Sequence, residues 1–295
     1  MSGLVKGPVL VIGASGNVGG AAARSLLDAG LPVRVAGTDP GALRRRFPTA
    51  EAVRLDFLDP ATFDGAAAGA GALFLLRPPP ISRVGPTLNA FVDAAARHGV
   101  GHVVFASVAG ADTNRLVPHH RVEQHLRTGT VPWTILRPGF FAQNLGDAYR
   151  TDIATDDRIV LPAGDGRAAF IDTRDIGEAA AVILADPHRH AGNGYLLTGP
   201  QALSFTDVAR LLTGALDRPI RYEPTTAVRY LWHLRRRRTP LTQALVQTVL
   251  HTGLRHGQAE QVDPTLPRLL GRPARTLEQY IGQHRHLWSA SPPAP

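Results

Sequence analysis

The chain has 295 residues, of which 44% are hydrophobic, 19% charged and 6% aromatic, the balance of a soluble globular protein and not of a disordered one. It contains no cysteine, which excludes disulfides, thiolate zinc sites and a cysteine nucleophile, and no metal site is expected. Against 24 acidic residues stand 32 basic ones, a net charge of +8, yet the runs Arg44–Arg46 and Arg235–Arg238 sit in no helix-turn-helix, zinc-finger or RNA-recognition pattern, so nucleic acid is not an expected partner.

Met1 to Gly7 leads straight into a strand without a signal-type apolar region, and no apolar stretch reaches the roughly 20 residues of a membrane span. A cytoplasmic location with no membrane partner is the expectation. Beyond that start, short apolar runs alternate with amphipathic stretches, the βαβα rhythm of a parallel sheet covered by helices on both faces. Strands are expected at Val9–Ile12, Val33–Ala36, Ala52–Leu55, Ala72–Leu76, Val103–Ser107 and Trp133–Leu136, each an apolar run suited to a doubly covered sheet. Helical spacing covers Val18–Ala29, Leu88–His98 and His119–Thr128, with Gly30, Gly99 and Gly129 where C-caps belong.

After about residue 140 the rhythm weakens. A helix rich in alanine starts at Asp172–Ile176, a further strand lies near Tyr195–Leu197, Ser204–Asp207 opens a helix over Val208–Leu216, and residues 218–270 read as helices broken by prolines. The fold class expected is therefore α/β: a Rossmann-type doubly wound parallel sheet over residues 1–150, a smaller, mostly helical substrate-binding lobe over 151–288 that returns one strand to the main sheet, and a frayed tail at 289–295.

The motif that carries chemistry follows the first strand: Gly13-Ala14-Ser15-Gly16-Asn17-Val18-Gly19. Placed between an apolar strand and an alanine-rich helix, it reads as a dinucleotide fingerprint. Gly13 makes the tight turn, Gly16 admits the pyrophosphate to the backbone, and Gly19 lets helix and strand approach. Backbone N–H groups at the helix start then face the diphosphate, with the helix dipole behind them.

Together with Asp56-Phe57, Leu73–Pro79, His119-His120-Arg121-Val122-Glu123, Trp133–Phe141, Gln143-Asn144 and Leu270–Pro273, this fingerprint resembles the NmrA-like group of atypical short-chain dehydrogenases, and within it the NAD(P)H-quinone reductase-like members. The resemblance implies that Asp56 and Phe57 lie beside the adenine, that Leu76 and Arg77 back the ribose and nicotinamide, and that Pro138, Gly139, Phe140 and Phe141 line the nicotinamide end. It implies an NAD(P)H-dependent reductase acting on a small molecule, a quinone or another conjugated carbonyl. Phe141, Asn144 and Tyr149 are the candidate substrate surface.

Cofactor choice turns on the end of the second strand, where an acid would bond the ribose of NAD and an arginine the 2′-phosphate of NADP. Related chains place an arginine in a Val-Arg-Asp-Pro-like turn, whereas this one reads Gly37-Thr38-Asp39-Pro40. Thr38 and an arginine of the following run, Arg44 foremost, are the candidates for the phosphate, so NADP(H) is favoured over NAD(H).

Lys6 is the only lysine, so the Tyr-x-x-x-Lys pair by which most short-chain dehydrogenases move a proton is absent. Ser107, at the end of the fifth strand, and His119, four residues before Glu123, remain as catalytic candidates, a histidine of near-neutral pKa being able to protonate an oxyanion. His120 competes for the same role. Two other readings stay open: a dinucleotide-binding redox sensor without turnover, and a non-redox isomerase, lyase or cyclase on the same fold. Assembly into a homo-oligomer is compatible with the sequence.

Overall fold

A computed structural model describes residues 6–289; most of the tail expected to fray, Ala290–Pro295, and the first five residues lie outside that range. The chain divides into two units. The first comprises Met1–Pro138, Thr173–Leu197 and Thr265–Arg272, the second Gly139–Asp172, Thr198–Pro264 and Pro273–Pro295. The division thus falls at Pro138 and is interleaved, where the sequence had suggested one linear boundary at residue 150.

In the first unit, seven parallel strands lie in the order β3-β2-β1-β4-β5-β6-β9: β1 Val9–Ile12, β2 Val33–Gly37, β3 Glu51–Arg54, β4 Ala72–Leu76, β5 Val103–Ala106, β6 Trp133–Pro138 and β9 Asn193–Leu197. The strand order reverses between β1 and β4, and at such a switch point the strand ends open a crevice. Alternate strand residues, Leu10, Ile12, Leu73, Leu75, Val103 and Phe105 among them, form one core with α3 (Phe63–Ala67), α4 (Ala90–Arg97) and α5 (Pro118–Thr128). Elsewhere in the unit α1 (Asn17–Asp28) packs on α7 (Thr173–Ala185) so closely that a Cβ on Gly177 would meet the backbone of Ala21 and Ala22. The doubly wound architecture is the one expected.

Local departures have local causes. The β3 residues are exposed or only partly buried, because β3 is the sheet edge and its outer side has no neighbour. Gly30 and Gly99 take the left-handed conformation after their helices, but Gly129 is extended (φ −78°, ψ 179°) and closes α5 without the left-handed turn. The helix expected from Leu88 is preceded by a wide turn over Gly85–Asn89, in which Asn89 N–H donates to the Val84 carbonyl five residues back.

In the second unit the elements are α6 (Arg150–Asp156), β7 (Arg158–Leu161), β8 (Arg167–Ala169), β10 (Ala202–Ser204), α8 (Phe205–Leu216), β11 (Arg221–Pro224), α9 (Ala227–Arg236), α10 (Leu241–Leu254) and α12 (Leu277–Gln283), while α11 (Thr265–Leu270) belongs to the first. The reading of residues 218–270 as helices alone needs correction: β11 pairs in parallel with β7, Tyr222 against Ile159 and Pro224 against Leu161. Both are edge strands of a two-stranded sheet, the setting in which a strand proline is tolerated. Phe170, Phe205, Tyr149, Tyr230 and Trp288 fill the core of this unit.

Candidate functional site

The glycine loop sits at the carboxyl end of β1. Gly13 has φ +69°, Gly16 N–H donates to its carbonyl at 2.9 Å, and the loop turns into α1. A Cβ on Gly19 would run into the carbonyls of Ile12 and Gly13, and one on Gly13 would lie 2.7 Å from Leu76 at the end of β4, so these two positions are closed to side chains. A Cβ on Gly16, by contrast, would meet nothing nearer than the Gly13 carbonyl at 3.5 Å, and Ser15, Gly16 and Asn17 are exposed while Ala14 is fully buried and Val18 half-buried. The α1 N-terminus therefore presents bare backbone outward, which fits a diphosphate.

Charge around this loop comes from a residue that the sequence did not single out. Arg46, the last residue of α2 (Pro40–Arg46), donates from Nη1 to the Ser15 carbonyl at 2.6 Å. Desolvation and the Arg46 charge both lower the Arg24 guanidinium, so two cations stand together beside the loop. Arg44 and Thr38 are exposed, with no partner on the loop. Asp39, the acid that would serve NAD, accepts from Ala42 N–H at 2.9 Å as the N-cap of α2. The signal was faint but present: Leu43 and Phe47 are both buried, and their spacing fixes the inner face of α2, leaving the outer arginines pointing away.

Along the same sheet edge, Asp56 caps its own turn by accepting from Leu58 N–H at 2.9 Å. The Phe57 ring does not line a ligand surface; it packs edge-on against Phe63 and Phe91, 6% exposed, so only its backbone is available to an adenine. Arg77 folds back onto its own loop, donating from Nη1 to the carbonyls of Pro78, Pro79 and Ile81, and desolvation lowers its guanidinium. Its Nε reaches His119 Nε2 at 3.4 Å.

That contact changes the reading of His119. Burial, with the Arg77 charge beside it, pushes its pKa down to about 4, so near pH 7 it is a neutral imidazole and not a stored proton. Its ring stacks on Phe105. His120 donates from Nδ1 to the Ala111 carbonyl at 2.8 Å, which holds the loop after β5.

Ser107 is likewise committed. Its hydroxyl donates to Glu123 Oε1 at 2.6 Å, and Glu123, fully buried, receives Arg137 in a two-pronged contact, Nε to Oε1 at 3.0 Å and Nη2 to Oε2 at 2.7 Å. Burial opposes the Arg137 charge, but Glu123 and Asp112 hold its guanidinium above the ordinary value. In the sequence Glu123 is marked only by its spacing from His119; the structure makes it the hub joining the end of β5, α5 and β6. The signal was Arg137 itself, an arginine inside an apolar strand, which needs a buried carboxylate.

Pro138 ends β6 in the first unit, its carbonyl accepting from Ala109 N–H at 3.0 Å, whereas Gly139, Phe140, Phe141, Asn144 and Tyr149 belong to the second. There Phe140 and Tyr149 enter one aromatic cluster with Phe170, Phe205 and His251. Tyr149, 2% exposed, donates its hydroxyl to His251 Nε2, whose Nδ1–H is given to the Gln247 carbonyl. Phe141 pairs through its backbone with Ile171, and Asn144 accepts from Tyr149 N–H, so both hold the turn after β6. Beside this cluster lies a cavity of about 230 Å³ whose lining includes Tyr149, Asp152, Tyr230, His233, Arg237 and Gln247. Within this lining Asp152 pairs with His233 and Arg237.

A switch-point crevice, an open glycine loop and an adjacent cationic pair define a dinucleotide-binding protein of the Rossmann-type α/β class. Within that class the chain belongs to the NmrA-like family, whose model matches residues 5–280. It is 31% identical to the NAD(P)H azoreductase of Xenophilus azovorans over 96% of this chain and 100% of that one. Among solved structures it superposes on a Citrobacter sp. triphenylmethane reductase complexed with NADP(H), TM-score 0.84 at 21% identity, covering 93% of this chain and 99% of that one. It superposes equally on the Escherichia coli NADPH-dependent quinone oxidoreductase complexed with NADPH, TM-score 0.84 at 24% identity, with the same coverage.

Proposed function

We propose that this protein is an NAD(P)H-dependent reductase of a quinone or another conjugated small molecule, with NADP(H) the preferred cofactor. The observation that carries the reading is the bare glycine loop with Arg46 bonded at its rim and Arg24 beside it. Loop backbone from Gly13 to Gly19 would hold the diphosphate, Asp56 and the Phe57 backbone would border the adenine, and Arg46, in place of Arg44, would meet the 2′-phosphate with Thr38 nearby. A bound reduced nicotinamide supplies a hydride from its C4.

The residues of the chain fit an acceptor that needs little acid. No Tyr-x-x-x-Lys pair is present, Ser107 is spent on Glu123, and His119 is neutral at pH 7. The donors left over, Arg77 Nη2 and the Nδ1–H of the His119 imidazole whose Nε2 accepts from Arg77 Nε, would then serve a developing oxyanion, and placement of the acceptor would supply most of the rate. Quinones, azo compounds and triphenylmethane dyes, which the relatives' names carry, share an extended π-system that spreads the charge it receives.

The test is binding of NADPH, NADH and their oxidised forms by calorimetry, followed on the same sample by consumption of the reduced form with a benzoquinone and a naphthoquinone. Expected are tighter binding of NADPH than NADH and quinone-dependent consumption. Arg46→Gln should weaken NADPH about tenfold or more, the loss of one charge-assisted contact, and leave NADH unchanged, while Arg44→Gln changes neither. Binding without consumption of any acceptor would transfer the reading to a redox sensor, and turnover with no change in cofactor absorbance to a non-redox enzyme.

A further inference from the structure

Between Glu223 and Glu260 the sequence contains no acidic residue, and over the same stretch it carries six arginines: Arg229, Arg235, Arg236, Arg237, Arg238 and Arg255. The structure folds most of this stretch into α9 and α10, which pack on one another. Their inner sides are accounted for. Tyr230 and Leu234 of α9, and Ala244, Thr248, His251 and Leu254 of α10, are buried, and Arg237 is tied to Asp152 and Asp156.

The outer sides are not accounted for by the fold. Eleven large hydrophobic residues are exposed among the described residues, and seven of them are Val228, Trp232, Leu241, Leu245, Val246, Val249 and Leu250. On α10 they form two adjacent rows at four-residue spacing, Leu241-Leu245-Val249 and Val246-Leu250, so from Leu245 onward the exposed side of the helix is apolar, with Thr242 and Gln243 the exposed polar residues of its first turn. On α9, Val228 and Trp232 form one row bordered by Arg229, Arg235 and Arg236, with the Arg236 guanidinium 3.6 Å above the Trp232 ring. Val249 is 71% exposed and Val228 79%, so these are not side chains leaning into a neighbour. An apolar area of this extent on a folded protein marks an interaction surface.

We propose that the α9–α10 face is a peripheral docking surface for an anionic lipid bilayer. Charge and apolarity select that occupant together. A second copy of the chain would set one acid-free arginine border against another, and like charges would face across the contact. Nucleic acid would match the arginines but leave the leucines and valines uncovered, and Arg236 already occupies a face of Trp232. A bilayer interface offers both halves: acyl boundary for the aliphatic rows, headgroup depth for an indole, and anionic headgroups for Arg229, Arg235, Arg236 and Arg238. Neither helix crosses the membrane, since no helix among the described residues is long and apolar enough to do so. The surface lies within the second unit and does not depend on the cofactor reading.

The test is flotation of the full-length protein with vesicles of phosphatidylcholine alone and of phosphatidylcholine with phosphatidylglycerol, at low and at high salt. Expected is partition onto the anionic vesicles at low salt, with a blue shift of tryptophan emission that Trp232→Ser removes. Two sets of exposed substitutions separate the contributions. Arg235→Gln, Arg236→Gln and Arg238→Gln combined should weaken partition by more than about tenfold. Leu245→Ser with Val249→Ser should weaken it comparably and leave the melting temperature unchanged. No partition of the wild-type protein onto anionic vesicles would overturn the proposal, as would partition untouched by the Leu245 and Val249 substitutions. Concentration-dependent dimerisation abolished by those same substitutions, with no vesicle binding, would overturn it in favour of a second copy.

Discussion

At the scale of single residues, the site is decided by which polar groups are already engaged. Ser107, Glu123 and Arg137 form a hydrogen-bonded set in which a fully buried carboxylate balances the guanidinium of an arginine that is only 8% exposed. Removing the carboxylate charge leaves that guanidinium buried with only the more distant, half-exposed Asp112, 3.7 Å away. Glu123→Gln is therefore expected to lower unfolding free energy by about 3–5 kcal/mol, measured by urea denaturation. A loss under about 1 kcal/mol would mean that solvent reaches the pair. His119 shows the same logic from the other side. Its residue type suggested a proton donor, but protonation state is set by surroundings, and burial beside Arg77 holds it neutral.

Elements place the loop. Gly19 lies where α1 meets the end of β1, and its missing side chain allows the helix N-terminus to stand directly over the carbonyls of Ile12 and Gly13. Gly19→Ala should push α1 away from β1, costing about 1–3 kcal/mol of stability and weakening dinucleotide binding more than about tenfold. The readouts are thermal unfolding and NADPH titration of the same variant, and unchanged affinity would show that the loop tolerates a shift of α1. Elements also explain what could be read in advance. The interior strands β1, β4 and β5 are buried on both faces, so their sequences are continuous apolar runs with unmistakable ends. Edge strands lack that constraint and carry mixed sequences: β3, Glu-Ala-Val-Arg, is still placed to within a residue by its position in the βαβ rhythm, whereas β11, Arg-Tyr-Glu-Pro, lies outside that rhythm and no periodicity separates it from loop.

Across the whole molecule, buried histidines couple stability to pH. His102, His119 and His251 are each held at about 4, desolvation being the main cause in every case. Neutral partners fix the tautomers of two of them: His102 Nε2 meets Thr134 Oγ1, whose own proton goes to the His190 carbonyl, and His251 Nδ1–H goes to Gln247. A histidine with a depressed folded pKa favours folding fully above its unfolded value of about 6.5 and progressively less as pH falls toward the folded value. The melting temperature should therefore hold steady from pH 8 to 7, drop from about pH 6.5 to pH 4, and drop less steeply in His102→Asn. A melting temperature flat across that interval would show that these side chains are hydrated.

The sequence by itself determined the Rossmann-type sheet, the glycine loop and the absence of a tyrosine–lysine pair, because each is a local fact: a run of apolar residues, a spacing of three glycines, one lysine at position 6. Only the tertiary structure decided which arginine of 44–46 stands at the loop, that Glu123 binds Ser107 and Arg137, that Phe57 is core, and that the second unit is assembled from three separated segments. The physical reason is range. Periodicity and turn chemistry act over a few residues, whereas desolvation, ion pairing and packing depend on groups that lie far apart in the chain until folding brings them together.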